Sequence, residues 1–118
     1  MNLKAEQIDK EWGYELIRVN NKEEDYCSKI LFIEKGKATS MHCHLKKHET
    51  FYVREGMLFI TTIDPQTTET NTTALLPGEC MEIPRGMAHR LSAADDEDVE
   101  FDETSTYSDP LDSLRIWT

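Results

Sequence analysis

A chain of 118 residues, 38% of them hydrophobic and 31% charged, is long enough for one domain with its own core and needs no disulfide staples. Its formal net charge of −10 argues against a nucleic-acid binder, which needs a basic surface, and equally against adhesion to an anionic membrane. No stretch reaches the roughly 18 apolar residues of a membrane span. The opening "MNLKAEQIDKEW" has no apolar signal core, and Cys27, Cys43 and Cys80 form no Cys-x-x-Cys pair, so a reduced, cytoplasmic chain is expected.

In chain order, residues 3–11 carry the one helical expectation, a turn or two. Strand signals follow: "YELIRV" (14–19), "KILFIE" (29–34), "TFYVRE" (50–55), "MLFITTI" (57–63), "TALL" (73–76), "CMEIP" (80–84), "HRLSA" (89–93), "VEFDET" (99–104) and "LRIW" (114–117). Each is short and rich in β-branched, aromatic or aliphatic residues, and turn residues such as "EKGKAT", "DPQ" and "PGE" separate them. This spacing predicts an all-β sandwich or barrel, without linker or internal repeat. The run "DDED" (95–98) reads as a solvated loop.

The stretch "MHCHLKKHET" (41–50) holds three of the four histidines. In an extended segment residues i and i+2 share a face, so His42 and His44 point together and Cys43 points away. Alternation from Glu49 puts Phe51 and Val53 on its side, where core residues belong. If these two segments pair across "LKKH", Glu49 meets both histidines inside the sandwich. Two imidazoles and a carboxylate in a half-buried space call for a cation, because an unpaired buried charge is costly. His48 is expected on the outer side. Cys43 and Cys80, like Trp12 and Tyr14, are expected to serve packing.

A wider spacing encloses this stretch. Gly36 is followed after five residues by His42, after one by His44, after four by Glu49 and after six by Gly56; 21 residues later come Gly78, five residues, Pro84, one, Gly86, two, His89. The pattern resembles the two-part signature of the cupin superfamily, with Ala93 where the second part usually ends in asparagine. The resemblance implies an antiparallel double-stranded β-helix, the cupin jelly-roll barrel, as a single domain over residues 1–118 with its core at about 11–116. It also implies one divalent transition metal (Zn, Fe, Mn, Ni or Co) held near the barrel centre by His42, His44, Glu49 and His89. Gly56 in "REGM" is expected in a turn with positive φ, and "PRG" in a tight turn that aims His89 inward. Four protein ligands would leave two positions of an octahedral ion for a bidentate oxygen substrate.

Within the superfamily, "EWGYELI" (11–17), "KILFIEKGKATSMHCHLKKHETFYVREG" (29–56) and the string His89-Arg90-Leu91 look like the mannose-6-phosphate isomerase-like branch, although the loop from His44 to Glu49 differs in length. That resemblance implies a metal-dependent isomerase or epimerase of a sugar or sugar phosphate. In it Lys46, Lys47, Arg85 and Arg90 would hold the phosphate and Glu82 would move the proton. The alternatives on the same scaffold are a metal-dependent dioxygenase or lyase of a small acid, and a non-enzymatic binder of a small ligand. Outward Tyr52 and Trp117 on the C-terminal strand lead to the expectation of a homodimer.

Overall fold

Along "YCSKILFI" burial alternates residue by residue, with Cys27, Lys29, Leu31 and Ile33 inside. Alternation of this kind, repeated strand after strand, builds two sheets with a shared interior. The computed structural model describes residues 1–117. They form β1 (Glu6–Lys10), β2 (Gly13–Asn21), β3 (Tyr26–Ile33), β4 (Met41–Cys43), β5 (Glu49–Glu55), β6 (Leu58–Ile63), β7 (Thr70–Leu75), β8 (Cys80–Ile83), β9 (His89–Ala93), β10 (Val99–Ser105) and β11 (Leu114–Trp117). One sheet runs β1-β2-β3-β10-β5-β8 and the other β11-β4-β9-β6-β7. Neighbours are antiparallel throughout. No helix is present among the described residues, so none is long and apolar enough to cross a membrane. This is the all-β jelly-roll architecture expected from the sequence.

The main core lies between the sheets and contains Leu31, Phe51, Val53, Ile60, Leu91 and Phe101 among others. A fully buried Phe adds roughly 1.5–3 kcal/mol of transfer free energy, and Phe51 and Phe101, both 0% exposed, also meet edge to face at 5.6 Å. A smaller cluster of Met41, Cys43 and Ala88 packs separately from it.

Three expectations change. Residues 6–10 form a strand instead of a helical turn, because β2 offers them a full ladder from Glu6↔Ile17 to Lys10↔Gly13. Gly13 makes that hairpin possible: a Cβ there would run into the Phe32 carbonyl of the next strand. Second, β4 and β5 do not pair. β4 lies between β9 and β11 in the other sheet, so residues 44–48 cross between the sheets. Third, Cys80 is exposed on β8, an edge strand, although Cys43 is buried as expected. Gly56 does sit at positive φ (83°), where a side chain would also strike the Asp98 carbonyl. Residues 95–98 are exposed, with the Asp98 carboxylate accepting the Lys35 N–H at 2.8 Å.

Candidate metal centre

His42 and His89 are register partners on β4 and β9, and His44 follows one residue beyond β4. Antiparallel pairing thus gathers three imidazoles from distant parts of the sequence on one inner wall. Each ring is fixed through Nδ1. His42 Nδ1 donates to the Ser40 carbonyl at 2.9 Å, His44 Nδ1 to the Asp112 carbonyl at 2.8 Å, and His89 Nδ1 to the Met87 carbonyl at 2.9 Å. A carbonyl only accepts, so each Nδ1 carries the proton and each Nε2 presents a lone pair. One ring nitrogen from each histidine lies within 4.8 Å of the other two. Burial pushes all three imidazoles down, His44 to about 4 and His89 to about 3, so the rings are neutral at pH 7. Neutral imidazole is the form that ligates a metal.

Glu49 reaches the cluster from the opposite sheet. Its Oε2 stands 3.5 Å from His89 Nε2 and 3.8 Å from His44 Nε2. Both Glu49 Oε2 and His89 Nε2 are buried without a hydrogen-bond partner. Burial first, and then the Glu103 carboxylate, push Glu49 up to about 8. Ionised, Glu49 Oε2 would face His89 Nε2 as a second buried acceptor, and a shared cation would relieve both while drawing the raised Glu49 carboxyl back down. Three nitrogens and a carboxylate oxygen fit a divalent transition ion, and the same donors suit Zn, Fe, Mn, Ni and Co. Glu49 therefore meets the histidines across the sandwich instead of along a hairpin.

Behind Glu49 lies a buried charge network. Lys47 is 5% exposed, and its Nζ stands 3.2 Å from Glu103 Oε2 and 3.7 Å from Glu49 Oε1. Burial would lower the Lys47 ammonium, yet Glu103 and Glu49 outweigh it and the net shift is upward. Burial would likewise raise the Glu103 carboxyl, but Lys47 and Lys29 hold it down at about 2. Glu103, at the shorter distance, is thus the ion-pair partner of Lys47, and burial keeps the Glu49 carboxyl raised. Ser108 Oγ accepts from Lys29 Nζ at 3.3 Å and from Lys47 Nζ at 3.5 Å.

The loop that joins His44 to Glu49 is clamped by Asp112. Its carboxylate accepts the N–H groups of Leu45, Lys46 and Lys47 at 3.0–3.1 Å, and its own carbonyl orients His44. Three amides around one carboxylate make a charge-assisted nest. One residue thereby sets both the loop and the tautomer of a donor.

A cavity of about 870 Å³ opens from the three histidines and is walled by both sheets and by the segment before β11. Of the cations expected to hold phosphate, Lys47 and Arg90 line it, whereas Lys46 and Arg85 do not. Arg85 is exposed, and its Nε donates to the Lys46 carbonyl at 2.8 Å outside the cavity. Lys47 is not a surface lysine, because the Asp112 clamp turns it inward onto Glu103. Glu82 also lies outside: it is exposed on β8 and its Oε2 stands 2.9 Å from His48 Nε2. Alternation explains this, since Ile83 beside it is buried and takes the inner face. His48 is at the surface, as expected. Trp12 packs on the core and also borders the cavity, while Tyr14 stacks on Phe32 at 5.2 Å.

Sequence reasoning missed Asp112, Glu103, Lys29 and Arg115. A signal existed for two of them, because the alternation of "KILFI" and "VEFDETS" puts a charged residue, Lys29 and Glu103, at an inward position.

A protein-family model described as a cupin domain matches residues 29–107. Among curated proteins none matches the sequence. The fold is similar to the capsular polysaccharide assembling protein CapF from Staphylococcus aureus, with a TM-score of 0.85 and 17% identity over 99% of this chain and 35% of that one. It is also similar to a variant of oxalate decarboxylase from Bacillus subtilis, with a TM-score of 0.82 and 19% identity over 95% of this chain and 30% of that one. The chain therefore spans about a third of the length of these solved structures.

Proposed function

The chain belongs to the cupin domain family, and from that premise we propose that it is a metal-dependent protein acting on a small oxygen-rich ligand. His42, His44 and His89, with Glu49, hold one divalent transition ion. The observation that carries the reading is the pair of orphaned buried acceptors, Glu49 Oε2 and His89 Nε2, beside two further imidazoles with their Nδ1 atoms locked. A bound ion of this class supplies Lewis-acid polarisation of a ligand oxygen. The protein's own residues do the rest. The carbonyls of Ser40, Met87 and Asp112 orient the rings, and the Lys47–Glu103 pair sets the charge behind Glu49.

Isomerisation of a sugar or sugar phosphate is the narrower form of this reading. It needs a base beside the chelated oxygens. Glu82 faces outward, and Glu103, held at about 2, is a weak proton acceptor at neutral pH. Those two positions favour the small-acid or pure binding form over the isomerase form. The free thiols of Cys27, Cys43 and Cys80 support a reducing, cytoplasmic setting. Tyr52 and Trp117, 43% and 52% exposed, support a homodimer.

Elemental analysis of tag-free protein tests the reading. About one transition metal per chain is expected, and little in the His42→Ala, His89→Ala double variant. Metal-free wild type after loading, or full occupancy in the double variant, overturns it. Exchange of deuterium between C1 and C2 of a bound sugar phosphate would restore the isomerase form.

A further inference from the structure

The chain is strongly acidic, yet its cavity is not. Six of its 13 Lys and Arg residues line the cavity (Lys10, Lys29, Lys37, Lys47, Arg90 and Arg115), against five of its 23 Asp and Glu residues (Glu11, Glu15, Glu49, Glu103 and Asp109). Nearly half of the cations are thus gathered where about a fifth of the acids are. A divalent ion would add two further positive charges to the same space. Fields inside such a cleft act on a ligand far more than distant surface charge, which salt screens beyond a Debye length of about 8 Å.

Not all of these cations are available. Lys47 is committed to Glu103, and Lys37 to Glu34 outside the cavity at 2.6 Å. Two others stand on opposite walls with donors to spare. Lys29, 6% exposed on the inner face of β3, has only the Ser108 hydroxyl at 3.3 Å and a long 3.7 Å approach to Glu15 for its three N–H groups. Arg115 on β11 is the register partner of His42, so its side chain leaves the same face of the sheet as a metal donor. Paired positions on neighbouring strands stand about 5 Å apart. Its guanidinium makes no hydrogen bond or ion pair with another described residue. A planar five-donor fork of this kind matches a carboxylate or phosphoryl group.

We infer that the ligand is a small organic anion, held by the metal centre at one end and by the Arg115 guanidinium and the Lys29 ammonium at the other. This rests on the metal-dependent reading above and adds the charge class of the ligand and the two residues that select it. A neutral sugar would leave Arg115 without a counter-charge and Lys29 with only its long approach to Glu15.

The test is calorimetric titration of the metal-loaded full chain with malate, 2-oxoglutarate, ribose 5-phosphate and ribose. Binding of at least one anion is expected, with ribose much weaker. Malate against ribose 5-phosphate then tells a carboxylate from a phosphoryl ligand. Arg115→Gln, at an exposed position whose side chain bonds to no other described residue, is expected to weaken the anion by about tenfold or more, with metal content unchanged. Arg115→Lys should recover part of the loss. Lys29→Met is expected to act in the same direction where circular dichroism shows it folded, and otherwise Arg115→Gln decides alone. The inference is overturned if ribose binds as well as the anions, if no anion binds at millimolar concentration, or if Arg115→Gln leaves the affinity unchanged. It is also overturned if that variant loses its metal, because Arg115 would then act on the ion's site. If the wild type takes up no metal, the metal-dependent reading falls by itself. Arg115-dependent anion binding, measured on the metal-free chain, then stands or falls separately.

Discussion

The two halves of the interior are built on the same strands but from opposite chemistry. On β10 the inward residues Val99 and Phe101 are apolar, whereas Glu103 and Ser105 are polar and just as buried. On β3 the change falls between Leu31 and Lys29. One half is closed by side chains that need nothing but contact. The other is closed by charges and imidazoles that need partners, and Glu49 and His89 have not found all of theirs. The comparison teaches that the apolar half supplies stability, and its surplus tolerates a polar half whose own burial is costly. Residues at equivalent depth should therefore fail in different ways.

The largest effect is expected at Phe101→Ala. Removing a fully buried ring is expected to lower the unfolding free energy by about 3–5 kcal/mol in a urea titration, while the molecules that remain folded bind metal as before. A metal affinity that falls along with stability would mean the two halves are not independent. Next comes Glu103→Gln, which strips the Lys47 ammonium of its charged partner. A loss of about 1.5–3 kcal/mol is expected, and unlike Phe101→Ala it should alter metal affinity as well, because Lys47 is then free to turn to Glu49. A change confined to stability would assign Glu103 to the scaffold. Asp112→Ala belongs wholly to the polar half. Releasing the 45–47 loop and loosening the support of His44 is expected to reduce metal affinity about 10- to 100-fold, measured by competition with a chelator, with a smaller effect on stability than Phe101→Ala. Unchanged affinity would show that the donors hold without the clamp.

Much of this was legible in advance, and the particular residues show why. The strand segments were visible because a half-buried sheet forces a period of two, and the candidate donors because their spacing resembles the two-part cupin signature. Residues 6–10 were misread because five residues of mixed polarity have no decisive local preference; only the ladder offered by β2 makes them a strand. Glu82 was misplaced by one alternation step, since nothing local tells which face of "CMEI" is inward until Ile83 packs into the core.

The sequence by itself determined the all-β architecture and that His42 and His44 share a face, because both follow from rules of short range, the pleat of a strand and the i, i+2 face it defines. The candidate donors Glu49 and His89 came from the resemblance to the cupin signature. Only the tertiary structure decided that β4 and β5 stand in opposite sheets, that Lys47 turns inward to Glu103, that Asp112 ties down the loop between donors, and that Arg115 faces the cavity beside His42. Each joins residues separated by a long stretch of chain or depends on which sheet a strand enters. Pairing of that kind is chosen by the burial of the whole interior, and no local pattern encodes it.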